Sequence, residues 1–157
     1  MSSIFSHADM NKIKNTYENT IKTLEDRAFM YENEAVEYYK NVIINNKTGI
    51  MYRLQSAIRT HPSYSVFKIP IASFYSMDST NETHDDSLSE PLFGNLETGY
   101  ANMYNIWKYT NFQTRLMHHL GLNSDNYSID LETEKQTIFM ENNCYYNIIV
   151  LIYKPSL

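Results

Sequence analysis

From Tyr17 onward the apolar and small positions run Tyr17, Ile21, Leu24, Ala28, Tyr31, Ala35, Tyr38 and Val42, at steps of 4, 3, 4, 3, 4, 3 and 4. A heptad of this kind places all eight on one face of a helix. Glu18, Lys22, Glu25, Asp26, Glu32 and Glu37 fall mostly off that face. Ser6 with Asp9 three residues later is a capping-box start, and the carboxylate suits the positive end of the helix. Asn45-Asn46-Lys47-Thr48-Gly49 is a stop signal, with Gly49 the terminator. The spacing therefore predicts a helix over 8–45. At about 1.5 Å per residue such a helix is roughly 57 Å long. A compact domain of this length is roughly 39 Å across. The helix must bend, break, or project towards a partner.

Residues 50–60 carry two patterns at once. Ile50, Leu54, Ala57 and Ile58 make a helical face, whereas Ile50, Tyr52, Leu54, Ser56 and Ile58 alternate as in a strand. The strand reading is favoured because His61-Pro62-Ser63 is a turn signal and Tyr64–Met77 is rich in aromatic and β-branched residues, so the two segments make a hairpin. Pro70 cannot donate to a ladder and marks an edge or a bulge. Thr98 or Gly99 opens a second helix, with Met103, Ile106, Trp107, Tyr109, Phe112, Leu116 and Leu120 as its apolar face and Gly121 as its end. Tyr127, Ile129, Leu131 and Thr133 alternate with Ser128, Asp130 and Glu132, the signature of a half-exposed strand. Glu134-Lys135 is read as a turn into a strand over 136–141, and Asn142-Asn143 as a tight hairpin turn. Cys144–Tyr153 is nearly continuously apolar, the pattern of a central strand covered on both faces.

The expected architecture is α+β: a long N-terminal helix, then ββαβββ giving a mostly antiparallel five-stranded sheet with helices packed on it. The whole of 1–157 is expected to form a single α+β domain. In element order, though in no shared motif, it resembles the ββαβββ scaffolds of profilin-like, longin and PAS-like domains. That resemblance implies a sheet able to enclose a small-molecule pocket, for which Trp107, Phe112 and Tyr146 are the candidate lining residues.

Charge sharpens this picture. The 13 basic and 18 acidic residues leave a net charge of −5. Residues 78–97 alone carry −6, from Asp78, Glu82, Asp85, Asp86, Glu90 and Glu97 with no Lys or Arg, so the remainder sums to +1. An acidic chain with scattered basic residues argues against nucleic acid as partner, because that affinity rests on neutralising phosphates. Segment 78–97 is expected to be a solvated acidic loop, with a basic protein surface as its alternative use. The single cysteine excludes an intramolecular disulfide framework and fits a reducing, cytoplasmic setting. No run approaches the ~20 apolar residues of a membrane helix. The 14 Tyr, with 17 Asn and 15 Ile, follow AT-rich codon usage, which makes a viral or virion component one setting.

Familiar chemistry is missing from the chain. None of Gly49, Gly94, Gly99 and Gly121 is followed by Lys, so there is no P-loop, and neither G-x-G nor G-x-S-x-G occurs. Cys144 stands alone, and the adjacent His118 and His119 point about 100° apart on a helix, which makes them poor joint metal ligands. No catalytic, cofactor or metal residue is therefore named, and no cofactor is expected. The leading expectation is a non-enzymatic interaction or assembly protein that takes a protein partner or a second copy of itself. Its candidate contacts are Tyr17, Leu24, Tyr31 and Tyr38 on the helix, and Asp85, Asp86 and Glu90 in the acidic segment. A small-molecule binding or sensing domain is the second reading. The third is an enzyme whose site is assembled only by the fold, from residues such as His61, His84 and His118.

Overall fold

A computed structural model of the chain describes residues 4–77, 90–138 and 142–155. The elements are α1 (His7–Asn45), α2 (Lys47–Thr60), β1 (Phe67–Met77), β2 (Leu92–Asn95), β3 (Gly99–Asn102), α3 (Met103–Tyr109), α4 (Phe112–His119), β4 (Tyr127–Ile138) and β5 (Asn142–Tyr153). The chain is α+β, with a long N-terminal helix and antiparallel strands. The expected five-stranded sheet is not formed. Instead a three-stranded sheet runs in the order β1-β5-β4, and β2 and β3 pair separately.

α1 starts as its capping chemistry requires. Ser6 Oγ accepts from the Asp9 amide at 3.1 Å, and the Asp9 carboxylate accepts from the Ser6 amide at 3.0 Å. Its end differs from expectation. Asn46, not Gly49, interrupts the helix: its side-chain amide donates to the Val42 carbonyl at 3.0 Å, while its own carbonyl accepts from Ile50 and so starts the next helix. Residues 50–60 are therefore helix, not strand. Ile50, Leu54 and Ala57 all reach the core, whereas Ile58 faces out. The 3.6-residue period wins because it, and not the alternation, meets an apolar surface.

The second helix is also divided. Residues 99–102 are a strand, and Asn102 then caps α3 by accepting from the Asn105 amide at 2.8 Å. Thr110 closes α3 through a bond to Ile106 O, and its hydroxyl accepts from the Phe112 amide at 3.1 Å to open α4. Gly121 ends α4 as expected: with φ +67°, its amide donates to His118 O while Leu122 donates to Met117 O, a Schellman pair. No turn occurs at Glu134-Lys135, because β4 runs through it. Asn142 and Asn143 lie within β5, paired with Ile138 and Thr137, so the connection falls at 139–141, outside the described residues.

The three-stranded sheet keeps one face apolar by correcting its own parity. Phe67 and Ile69 on β1 lie opposite Tyr153 and Leu151 of β5, but farther along it is Phe74 and Ser76 that share this face, opposite Asn147 and Tyr145. The shift from odd to even positions needs one extra residue, and a bulge between Pro70 and Ala72 supplies it. β1 is an edge strand, as Pro70 indicates. Arg53 of α2 donates to the Pro70 carbonyl at 3.0 Å, which occupies that edge. This inner face packs with Ala28, Tyr31, Ala35, Val36, Tyr39 and Ile43 of α1 and with Met103, Ile106, Phe112 and Leu116 of α3 and α4 in one core.

Candidate functional site

α1 behaves as two helices laid end to end. Residues 7–20 are exposed at every position, including Met10, Ile13 and Tyr17, whereas seven residues from Ala28 to Ile43 are buried. Fourteen residues project over roughly 21 Å. On an ideal helix, Met10, Ile13, Tyr17, Ile21 and Leu24 fall within about 40° of one line, at 100° per residue. The exposed stripe is thus continuous with the packed one.

The expected single face for all eight heptad residues is not observed. Ala28, Tyr31 and Ala35 are buried, but farther along the buried residues are Val36, Tyr39 and Ile43, while Tyr38 is 51% exposed. A straight helix at 3.6 residues per turn drifts about 20° per heptad from a 3.5 repeat, which accounts for the sideways move of the buried line. Glu32, expected off the face, is only 6% exposed and lies 3.2 Å from Arg115 of α4.

The four helix candidates therefore separate. Tyr17 is 67% exposed on the projecting arm. Leu24 lines a groove at its root. Tyr31 is buried, and its hydroxyl donates to Thr98 Oγ1. Thr98 Oγ1 donates in turn to Asn95 Oδ1 at 3.0 Å, and that same oxygen accepts the Glu97 and Thr98 amides at 2.9 Å. This Asn95-centred turn makes the β2–β3 hairpin, within what was expected to be an acidic loop. It requires glycine at position 94: φ is +119°, and a Cβ there would lie 2.3 Å from Gly99 O and 2.8 Å from the Tyr31 ring. Tyr38 stays at the surface but sets its ring edgewise on Tyr39 and Phe93, at 5.0 and 5.7 Å.

Of the acidic candidates, Asp85 and Asp86 lie outside the described residues, as does His84. Glu90 is half-buried in the groove and accepts from the Tyr104 amide at 3.4 Å. The groove holds about 720 Å³. Ile21 and Leu24 form its apolar wall, Tyr104, Asn105 and Lys108 of α3 another, and Ser76, Thr133 and Tyr145 its sheet side. Beneath it lies a polar row across three strands. Buried Asn147 donates to Ser76 Oγ at 2.8 Å and accepts from Thr133 Oγ1 at 2.9 Å. The inner sheet face thus turns from apolar to polar where the groove opens. Leu24 and Glu90 are brought together here; Tyr17, Tyr31 and Tyr38 are not.

The pocket anticipated around Trp107, Phe112 and Tyr146 does not form. Phe112 is fully buried, Trp107 packs on it at 5.6 Å, and Tyr146 lies on the opposite face of the sheet. Tyr39 is the hub of the aromatic core, with Tyr38, Phe74, Phe93 and Phe112 at 5.0–6.4 Å. Burial, reinforced by the neighbouring Tyr38 and Glu90 charges, pushes its phenol well above the usual range, so it stays protonated and inert. Burial likewise raises the Cys144 thiol, with Glu90 adding to the shift, which keeps it from acting as a thiolate nucleophile. Among the described residues no group of three or more His, Cys, Asp or Glu could hold a metal, and no helix is long and apolar enough to cross a membrane.

The other face of the sheet is half-buried to buried along β5, with Val150 only 3% exposed and Cys144 fully buried. Tyr146, Ile148, Val150 and Ile152 of β5 alternate with the core-facing set. None of them belongs to the core cluster that the helices share. Asp130, Glu132 and Glu134 of β4 and Lys68 of β1 flank this row, with Lys68 and Glu132 3.7 Å apart across it. A hollow of about 440 Å³ extends from Tyr146 and Ile148 to Asn46, Gly49 and Arg53. Met10 and Ile13 were also missed, although Met10 lies one heptad before Tyr17.

Comparison with protein-family models, with curated proteins and with solved structures gives no match to the chain.

Proposed function

We propose that this is a non-enzymatic interaction or assembly protein that engages a protein partner through the projecting half of α1. One observation carries the reading. The helix continues for fourteen residues, 7–20, beyond its packed part, and keeps Met10, Ile13 and Tyr17 exposed along a stripe that leads into the core. An isolated helix of that length is marginal in water, because nucleation is costly and little offsets the lost backbone entropy. A partner that covers the stripe supplies the missing burial, at roughly 25 cal/mol for each Å² of apolar surface removed from water. An intracellular or virion setting fits the composition.

Native mass spectrometry on protein isolated gently from its source tests this. The expected result is a mass above the monomer, from added copies or a co-purifying chain, that Met10→Asp with Tyr17→Asp abolishes while the melting temperature holds. A bare monomer, or an assembly that survives the double substitution, overturns the reading.

Binding of a small molecule is the second reading. The groove at the arm's root supports it, because its volume lies within the roughly 300–1,000 Å³ of ligand sites and its lining joins apolar side chains to Asn and Tyr polar groups. A ligand-dependent rise in melting temperature that Asn105→Leu removes is its expected signature.

A further inference from the structure

We infer that the α1 arms of two copies of this chain pair antiparallel along the line of Met10, Lys14, Tyr17, Ile21 and Leu24, giving a two-fold dimer. This rests on the arm being an interaction element, and it adds what the arm binds, in which direction and in which register.

Steps of three and four carry the heptad back from Leu24 through Ile21, Tyr17 and Lys14 to Met10. Met10, Ile13 and Tyr17 are exposed by half or more, and Ile21 and Leu24 are only partly covered. The direction of pairing follows from where the body sits. Ala28, Tyr31 and Ala35 continue the same line, and this stretch of α1 is packed by α3, α4 and the strands. Paired helices lie about 8–10 Å apart. A partner helix running parallel on the stripe side would continue past Leu24 into the space those elements fill. An antiparallel partner begins at that level and runs outward, away from the body. The groove of about 720 Å³ beside Ile21 and Leu24 gives its first turn room.

Length sets the register. With Lys14 level with Tyr17 of the second copy, the seam positions form successive layers: Met10 on Ile21, Lys14 on Tyr17, Tyr17 on Lys14, and Ile21 on Met10. His7 then comes level with Leu24, and the two helices overlap over 7–24, roughly 27 Å. One heptad deeper would drive the partner's first turn against Ala28 and Tyr31, which are already buried. One heptad shallower would leave Ile21 and Leu24 without a counterpart. Charge agrees with this arrangement. A parallel pair in register sets Lys14 on its own copy, a repulsive contact. In the antiparallel layers the Lys14 stem lies along the Tyr17 ring of the second copy, where a cation over the aromatic face is attractive. Glu18 of the same helix, 3.9 Å from the Lys14 ammonium, balances its charge beside the seam. On the flank, Glu18 meets Asn11 of the second copy, not another carboxylate. Each arm offers the same surface to the other, so the contact is isologous and closes at two copies.

The test combines mass and cross-linking on the purified full chain. By size-exclusion chromatography with light scattering, the wild type is expected to rise with concentration to two copies and stop there. Met10→Asp with Tyr17→Asp is expected to stay monomeric at the same concentrations. For the register, Met10→Cys and Ile21→Cys are made separately on a Cys144→Ala background and mixed in a glutathione redox buffer. Should Cys144→Ala fail to fold, native Cys144 is kept, because it is fully buried. The mixture should give a disulfide-linked dimer, since the two positions share a layer. Either variant alone should give almost none, because its introduced thiols lie roughly 16 Å apart along the axis, beyond the ~7 Å between Cα atoms that a disulfide spans. Each variant cross-linking to itself as readily as in the mixture indicates parallel arms and overturns the proposal. So does a mixture that gives no cross-link while the wild type dimerises, or a mass that grows beyond two copies; all three leave the arm as the interaction element if the double Asp variant stays monomeric. A wild type that stays monomeric when pure also overturns it, and an arm-dependent partner in the native mass spectrum then shows the broader reading intact. A double Asp variant that assembles like the wild type overturns both.

Discussion

Residues 7–20 and 28–43 of α1 share one helix and one apolar rhythm, and their surroundings are opposite. In the second stretch Ala28, Tyr31, Ala35, Val36, Tyr39 and Ile43 meet the sheet, the hairpin and two further helices. In the first, Met10, Ile13 and Tyr17 are exposed and none of them belongs to the core cluster. Periodicity specifies which residues share a face. It does not specify whether the face is covered from within the chain or from outside. Only the length of helix set against the size of the body bears on the two, and that comparison requires a bend, a break or an overhang.

Paired substitutions sharpen the contrast. Tyr39→Ala removes the hub of the aromatic core and should cost about 3–5 kcal/mol in urea unfolding. Tyr17→Ala, at an exposed site, should change stability by less than about 0.5 kcal/mol in dilute monomer. Equal losses at the two tyrosines would mean that the arm is packed in the monomer, and the contrast would collapse. A smaller effect is expected at Arg115→Met. This change strips the partner from Glu32, which lies on the buried stretch, and should cost about 2–3 kcal/mol, reduced from the fully buried case because Arg115 is itself partly exposed. The smallest effect lies at the arm's beginning. Hydrogen bonds from the Ser6 backbone and side chain hold the Asp9 carboxyl below its ordinary range. Its contribution to the helix start is therefore fully present above about pH 4 and is lost as pH falls through the depressed value. Acid should loosen the first turn while residues 28–43 keep their helicity, as read by amide NMR, and Asp9→Asn should remove that pH dependence.

Local chemistry was legible in the sequence. The Ser6–Asp9 cap, the Gly121 stop, the bulge beside Pro70 and the central position of 144–153 each depend on a residue acting within a few positions of itself. What failed needed knowledge of neighbours. Residues 50–60 satisfy both periods, and only contact with the core decides between them. The β2–β3 hairpin was hidden in an acidic stretch because its organiser, Asn95, works with Tyr31 from the far side of the sequence. Among the candidate contacts, the heptad put Tyr17, Leu24 and Tyr31 on one face but did not distinguish the exposed Tyr17 from the buried Tyr31, whereas the outward turn of Tyr38 follows from helical drift.

The position of β5 also bears on how the chain is made. It is the middle strand of the sheet, yet it follows both of its neighbours in sequence. During synthesis neither β1 nor β4 has a strand to pair with until residues 142–153 have emerged. Through that interval Phe67, Ile69, Phe74 and Ile129 wait on unpaired edges, where contacts between nascent chains compete with folding. Sheet closure is a late, long-range event, and the helices of residues 7–60, whose backbone hydrogen bonds are local, can form before it although α1 gains most of its packing only afterwards.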